Sequence, residues 1–183
     1  MTDLIRDVRR EYKYATLSSA QIAKNPLDQF MRWIGEAEKA KIQDVTAMAL
    51  ATSDARGQPT VRIVLLKGFD ETGFSWFSDG GSEKGQALAA NPRAELLFHW
   101  RELDRQIRIR GEVVALGSVE ADTYFYSRPL ASQLAAATSQ QSRPVGSREE
   151  LEQRYKDLAV LHTDRAPRPT TWGGFKLHPQ AYE

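Results

Sequence analysis

The sequence predicts a mainly β fold of the α+β class: an antiparallel barrel with flanking helices. Three observations predict it. Five short apolar segments lie between residues 47 and 116, set apart by turn clusters and one short helix. In the last of them Ile107 and Ile109 alternate with Gln106, Arg108 and Arg110, the period of a strand with one wet face. Few helices separate these segments, so the βαβ rhythm of a parallel sheet is missing.

Taken in order, residues 1–24 are polar and mixed in charge, with Arg9-Arg10-Glu11-Tyr12 as their dense cluster. They read as a mobile arm ahead of one domain over residues 25–183. Asn25-Pro26 opens a helix, because Asn caps and Pro fits the first helical position. Leu27, Phe30, Met31, Ile34 and Ala37 then recur at three- and four-residue spacing, so one face is expected to be buried. The strands follow: Ala47 to Thr52, a turn at Asp54 to Pro59, Thr60 to Lys67, Phe74 to Ser78, Ala94 to Trp100, and Gln106 to Leu116.

Helices interrupt this run. One spans Ser82 to Ala90, with Ser82 as N-cap and Asn91-Pro92 as its stop; another spans Ser118 to Ser127, ended by Arg128-Pro129. Ser147-Arg148-Glu149-Glu150 resembles a capping box ahead of Leu151, Tyr155, Leu158 and Ala159. After the loop at Ala166-Pro167-Arg168-Pro169, Trp172 to Leu177 returns to strand.

Composition excludes several functions. With 41% hydrophobic and 27% charged residues over 183 positions, the chain suits a globular protein. A formal net charge of +1 argues against a general nucleic-acid surface. No cysteine is present, so disulfides, thiolate metal sites and Cys nucleophiles are excluded. His99, His162 and His178 lie far apart, so no metal site is expected. No apolar run approaches the ~20 residues of a membrane span, and a cytoplasmic protein is the expectation.

The segment Arg62-Ile63-Val64-Leu65-Leu66-Lys67 places a cation at each end of an apolar strand, followed by Gly80-Gly81-Ser82-Glu83-Lys84. An unpaired charge away from water costs several kcal/mol, so an anion, most simply a phosphate, would complete such a site. The other reading is that both cations end a strand in solvent. Lys84 in a first helical turn opposes the helix dipole unless an anion sits there, whereas Glu83 suits it. No GxGxxG or GxxxxGK[ST] run exists, so a single-phosphate ligand such as flavin mononucleotide fits better than a dinucleotide or triphosphate.

Two further clusters carry polar groups. Tyr124, Arg128 and Ser132 recur every four residues, so a helical path would align a phenol, a guanidinium and a hydroxyl on one phosphate ester. Pro129 interrupts that path, and the alternative packs Tyr124 in the core with Arg128 capping a carbonyl. Ser139-Gln140-Gln141-Ser142 offers amides suited to a heterocycle edge, or is an ordinary exposed loop.

Together these segments resemble the pyridoxine/pyridoxamine 5′-phosphate oxidases. The motifs run in register from Arg9-Arg10-Glu11-Tyr12 to Trp172-Gly173-Gly174-Phe175. Between them stand Asn25-Pro26 with Phe30 and Trp33, Thr46-Ala47-Met48, Gly57-Gln58-Pro59 before Arg62 to Lys67, and Gly81-Ser82-Glu83-Lys84. Asn91-Pro92-Arg93, Arg105-Gln106, Tyr124 to Pro129 and Gln141-Ser142 complete the series. The resemblance implies an FMN-binding split β-barrel that works as a homodimer with flavin at the subunit interface. It implies oxidation of pyridoxamine or pyridoxine 5′-phosphate to pyridoxal 5′-phosphate, with O2 reduced to H2O2.

By this resemblance Arg62, Ile63, Val64, Leu65, Leu66 and Lys67 line the flavin, with Arg62 and Lys84 on its phosphate. Phe77, Ser78, Gln106, Gln141 and Ser142 complete the cofactor contacts. Lys67, Tyr124, Arg128 and Ser132 hold the substrate phosphate, and Arg9 and Tyr12 belong to an arm that folds over the site. Two features depart from the family. Glu83 stands where a basic residue is usual, and the chain ends at Gln180-Ala181-Tyr182-Glu183, ahead of the family's Phe-Trp pair and Arg-Leu-His-Asp-Arg segment. The expected domain thus lacks that C-terminal segment. The alternatives are a related split-barrel flavin oxidase of the phenazine-precursor type and a non-catalytic flavin- or pyridoxal-phosphate-binding protein.

Overall fold

The computed structural model describes Glu11 and residues 17–183. Helix α1 (Pro26–Lys39) starts where the sequence places it, with Asn25 Oδ1 accepting the Leu27 N–H at 2.8 Å. Phe30, Ile34 and Ala37 are buried and Leu27 packs against the core. Met31 does not share that face. One step beyond Phe30, it lies about 100° further round the helix and is 47% exposed.

Seven strands follow: β1 (Ala47–Ser53), β2 (Pro59–Leu65), β3 (Gly68–Asp70), β4 (Gly73–Asp79), β5 (Arg93–Trp100), β6 (Arg105–Ala115) and β7 (Trp172–Tyr182). They form one antiparallel sheet in the order β2-β1-β5-β6-β7-β4-β3. The sheet curls into a half-barrel. Just past β2, the Lys67 N–H donates to Ser75 O of β4 at 2.8 Å, which brings the two sides of the strand order together.

The β1–β2 hairpin turns on Asp54, whose Oδ1 accepts the Arg56 and Gln58 N–H groups at 2.8 and 2.9 Å. Gly57 sits there at φ +85°, a conformation open to glycine without strain.

Strand β7 runs past the predicted Leu177 to Tyr182, although Pro179 would normally end a strand. Pro179 faces Gly111 where the β6–β7 register shifts, so the missing N–H falls at an irregularity. A Cβ on Gly111 would meet His178 O at 2.0 Å, so the crossing depends on glycine.

Inside the curl, the Phe30 ring meets Phe69, Phe74 and Phe98 edge-on at 5.0–5.1 Å, and α1 thereby plugs the sheet. Four more helices surround it: α2 (Glu83–Ala90), α3 (Ser118–Ser127), α4 (Leu130–Thr138) and α5 (Arg148–Leu161). The Ser147 side chain caps α5 by accepting the Glu150 N–H; the Glu150 carboxylate accepts from Gly146 instead of Ser147, so the box is only half made. Arg128, held extended at ψ 150° before Pro129, separates α3 from α4. No helix among the described residues is long and apolar enough to cross a membrane.

Candidate functional site

The turn after β4 builds the first half of the site. Asp79 Oδ1 accepts the Gly81 N–H at 2.8 Å, and Ser82 caps α2 by accepting the Gly85 N–H at 3.4 Å. That geometry turns Lys84 inward, leaving it only 8% exposed. Its Nζ donates to Ser78 Oγ at 2.9 Å, Ser82 Oγ at 3.0 Å and Gln141 Oε1 at 2.8 Å. All three ammonium hydrogens thus end on neutral oxygens. Burial lowers the Lys84 pKa, and the nearby Arg62 guanidinium lowers it further.

Arg62 is the second cation. Its Nη1 donates to Leu50 O at 3.0 Å and Thr52 Oγ1 at 2.8 Å, and its Nη2 to Thr60 Oγ1 at 2.6 Å. The side chain is therefore fixed by its own sheet and does not trail into solvent. Burial lowers its pKa too, while the Glu83 carboxylate raises it. Arg62, Lys84, Glu83, Gln141, Ser142, Thr60 and Val61 line a cleft of about 510 Å³. Ser142 adopts φ +62°, which bends the loop there.

A larger cleft of about 650 Å³ adjoins it and shares Lys84 and Gln141. Ile63, Val64, Leu65 and Lys67 form one wall, Phe77 and Ser78 another, and Tyr124, Arg128 and Ser132 a third. Arg128 Nη2 donates to Ser132 O at 2.8 Å, whereas its buried Nη1 has no hydrogen-bond partner. An orphaned buried guanidinium nitrogen costs about 1–3 kcal/mol unless a ligand supplies an acceptor. The Tyr124 ring stacks on Phe77 at 4.0 Å.

Most of the residues singled out from sequence meet here, with three departures. Leu66 is 4% exposed and packs in the core, because strand alternation turns it away from its neighbours Leu65 and Lys67. Gln106 is exposed on β6, paired with His99, and lines neither cleft. Arg9 and Tyr12 lie outside the described residues.

Trp172, not foreseen as a site residue, enters the larger cleft. Its ring lies 5.6 Å from Phe77, and the Arg128 guanidinium sits 5.0 Å above it. The signal available in the sequence was a tryptophan just ahead of Gly173-Gly174, where a Cβ on Gly174 would meet the Phe77 ring at 2.8 Å.

The donor sets decide what fits. Lys84 is buried with no carboxylate in ion-pair contact among the described residues, and Arg128 Nη1 awaits an acceptor. The two adjoining clefts therefore suit anions with several acceptor oxygens, and phosphate monoesters have that chemistry.

Comparison with known proteins bears on the same region. The family model for pyridoxamine 5′-phosphate oxidase matches residues 34–162. A pyridoxine/pyridoxamine 5′-phosphate oxidase from Cupriavidus taiwanensis is 49% identical over 183 residues, covering 100% of this chain and 86% of the relative. The chain belongs to the pyridoxamine 5′-phosphate oxidase family. A relative of the same name from Ralstonia pickettii is 49% identical over 179 residues, covering 98% of this chain and 84% of its own.

Among solved structures, PhzG from Burkholderia lata, in complex with tetrahydrophenazine-1-carboxylic acid, superposes with a TM-score of 0.88. It is 28% identical, over 93% of this chain and 85% of that one. A pyridoxamine 5′-phosphate oxidase-related, FMN-binding protein from Nostoc punctiforme shares the fold, with a TM-score of 0.68 at 15% identity over 88% of this chain and 84% of its own. The split-barrel architecture expected of the oxidase family is thus the one observed.

Proposed function

We propose that this chain is an FMN-dependent oxidase that converts pyridoxamine 5′-phosphate or pyridoxine 5′-phosphate to pyridoxal 5′-phosphate, with O2 reduced to H2O2. One observation carries the reading: two cationic phosphate-suited subsites lie in adjoining clefts that share Lys84 and Gln141. A phosphorylated cofactor and a phosphorylated substrate would each need one. When bound, the flavin supplies the two-electron redox chemistry and the route to oxygen.

The chain's own residues bind and orient. Arg62 and Lys84 would hold the flavin phosphate, with Ile63, Val64 and Leu65 against the ring system and Ser78, Gln141 and Ser142 donating or accepting around it. Phe77, stacked on Tyr124, would stiffen the wall between cofactor and substrate. Lys67, Tyr124, Arg128 and Ser132 would clamp the substrate phosphate. Because the reacting carbon lies away from that phosphate, binding energy from the clamp fixes the reacting end against the cofactor. No side chain is assigned as acid or base.

A homodimer belongs to the same proposal. Val61 and Ile63 are 69% and 67% exposed on edge strand β2, beside both clefts, an apolar row that a second copy would cover. A second copy would also give Gln106 a route to a flavin it does not approach from its own chain.

The likeness to PhzG favours one other reading, an oxidase of a phosphate-free carboxylated substrate. The unpaired Arg128 Nη1 inside a Lys67–Tyr124–Ser132 clamp supports the phosphorylated vitamer instead. Peroxide release by FMN-loaded protein discriminates. Saturable release with pyridoxamine 5′-phosphate, and none with unphosphorylated pyridoxamine at equal concentration, is expected. Flavin-loaded protein inert toward both phosphorylated vitamers would overturn the reading.

A further inference from the structure

Glu83 opens α2 with an exposed side chain and lines the same cleft as Arg62 and Lys84. It makes no ion pair within contact distance among the described residues. Even so, its charge favours the protonated forms of both Arg62 and Lys84. A carboxylate in the first helical turn also complements the helix dipole. Glu83 thus adds, behind Asp79 at Lys84, negative charge beside a buried lysine and a half-buried arginine.

We propose that Glu83 is a resident counter-anion that sets the charge selectivity of this subsite, competing with the flavin phosphate for the field of Arg62 and Lys84. The inference rests on the flavin reading above. Glu83 cancels part of the positive field that Arg62 and Lys84 offer a phosphate monoester, which carries about −1.5 to −2 at pH 7. The chain therefore holds FMN over riboflavin by a smaller margin than its two cations alone would give. It gains a more stable flavin-free state in exchange, because attraction to the Glu83 carboxylate offsets part of the repulsion between Arg62 and Lys84.

The test is quenching of flavin fluorescence, titrating FMN and riboflavin separately into flavin-free wild type, Glu83→Gln and Glu83→Asp. Glu83→Gln should bind FMN about fivefold more tightly, the scale of an exposed charge–charge contact. Its affinity for riboflavin should be unchanged, and its flavin-free thermal midpoint lower. Glu83→Asp, which keeps the charge, should keep the wild-type ratio of the two affinities. Added salt should shrink the difference between wild type and Glu83→Gln. The same FMN-to-riboflavin ratio in wild type and Glu83→Gln would overturn the proposal while leaving the flavin site intact. Wild type that quenches neither flavin would overturn the flavin reading, and the proposal with it.

Discussion

Lys84 Nζ lies 2.8 Å from Gln141 Oε1, 57 residues further along the chain, and this bond ties α2 to the loop after α4. The ammonium is held by neutral oxygens alone, so the flavin-free protein carries a buried charge without a counter-ion in contact.

Lys84→Met should therefore raise the thermal midpoint of the flavin-free protein, because an apolar chain of similar length removes the desolvation penalty. The same change should weaken FMN binding by roughly 1.5–3 kcal/mol, the worth of a charge-assisted contact. The Lys84 pKa is lowered in the folded state, so the unfolded chain binds the proton more tightly. Wild-type stability should then climb with pH from that lowered value towards the ordinary 10.5, and Lys84→Met should lack that climb. Calorimetry of flavin-free samples at several alkaline pH values checks both points; a lower midpoint in Lys84→Met contradicts them.

Arg128→Ala should raise the KM for pyridoxamine 5′-phosphate at least tenfold, from loss of a contact of roughly 1.5–3 kcal/mol, with FMN content little changed. Arg128→Lys should not rescue it. A lysine cannot hold Ser132 O, lie flat over Trp172 and still offer a second donor. Steady-state kinetics beside flavin content provide the check, and parallel loss of both would merge the two roles.

Ile63→Glu places a charge in the exposed apolar row of β2. The expected outcome is a shift from dimer to monomer in light scattering, together with loss of retained flavin. A variant that stays dimeric and yellow would show that this strand lies outside the interface.

Asp70 tests the electrostatics of the fold away from the clefts. Its carboxylate accepts from the Thr72 hydroxyl at 2.5 Å and from Lys176 Nζ at 2.9 Å, which hold its pKa well below the usual carboxylate range. A depressed pKa gives stability that is present above the unfolded value near 3.8 and lost as pH falls through the folded one. Asp70→Asn should lose less than about 1 kcal/mol at pH 7, since the side chain is largely in water. Chemical denaturation below pH 4 should show the two proteins converging; a gap that persists to pH 1 contradicts the assignment.

Much of this was legible from residue order. Asn25-Pro26 fixed where α1 begins, the Ser82 cap fixed α2, and the Ile107/Ile109 alternation fixed the inward face of β6, because caps and strand period are local properties. The misses arose where local signals conflict with tertiary ones. The Arg128-Pro129 stop of α3 is where the sequence places it, but that Leu130 begins α4 directly behind it was not foreseen. Pro179 hid the end of β7, since the register shift that accommodates it belongs to the β6 partner. Leu66 looked like its neighbours in the Arg62–Lys67 run, and only the alternation of the folded strand separates it from them. Arg128 and Lys67 were named from their types and spacing; the orphaned Nη1 and the Trp172 face became visible only once α3, α4 and β7 met.

The most direct measurement is a crystal structure of the protein grown with FMN. The account predicts phosphate density within hydrogen-bond distance of Arg62 and Lys84, with Gln141 Oε1 drawn off Nζ towards the cofactor. An empty cleft beside those two cations at saturating FMN, or a phosphate bound elsewhere with Lys84 still on Ser78, Ser82 and Gln141, would contradict it.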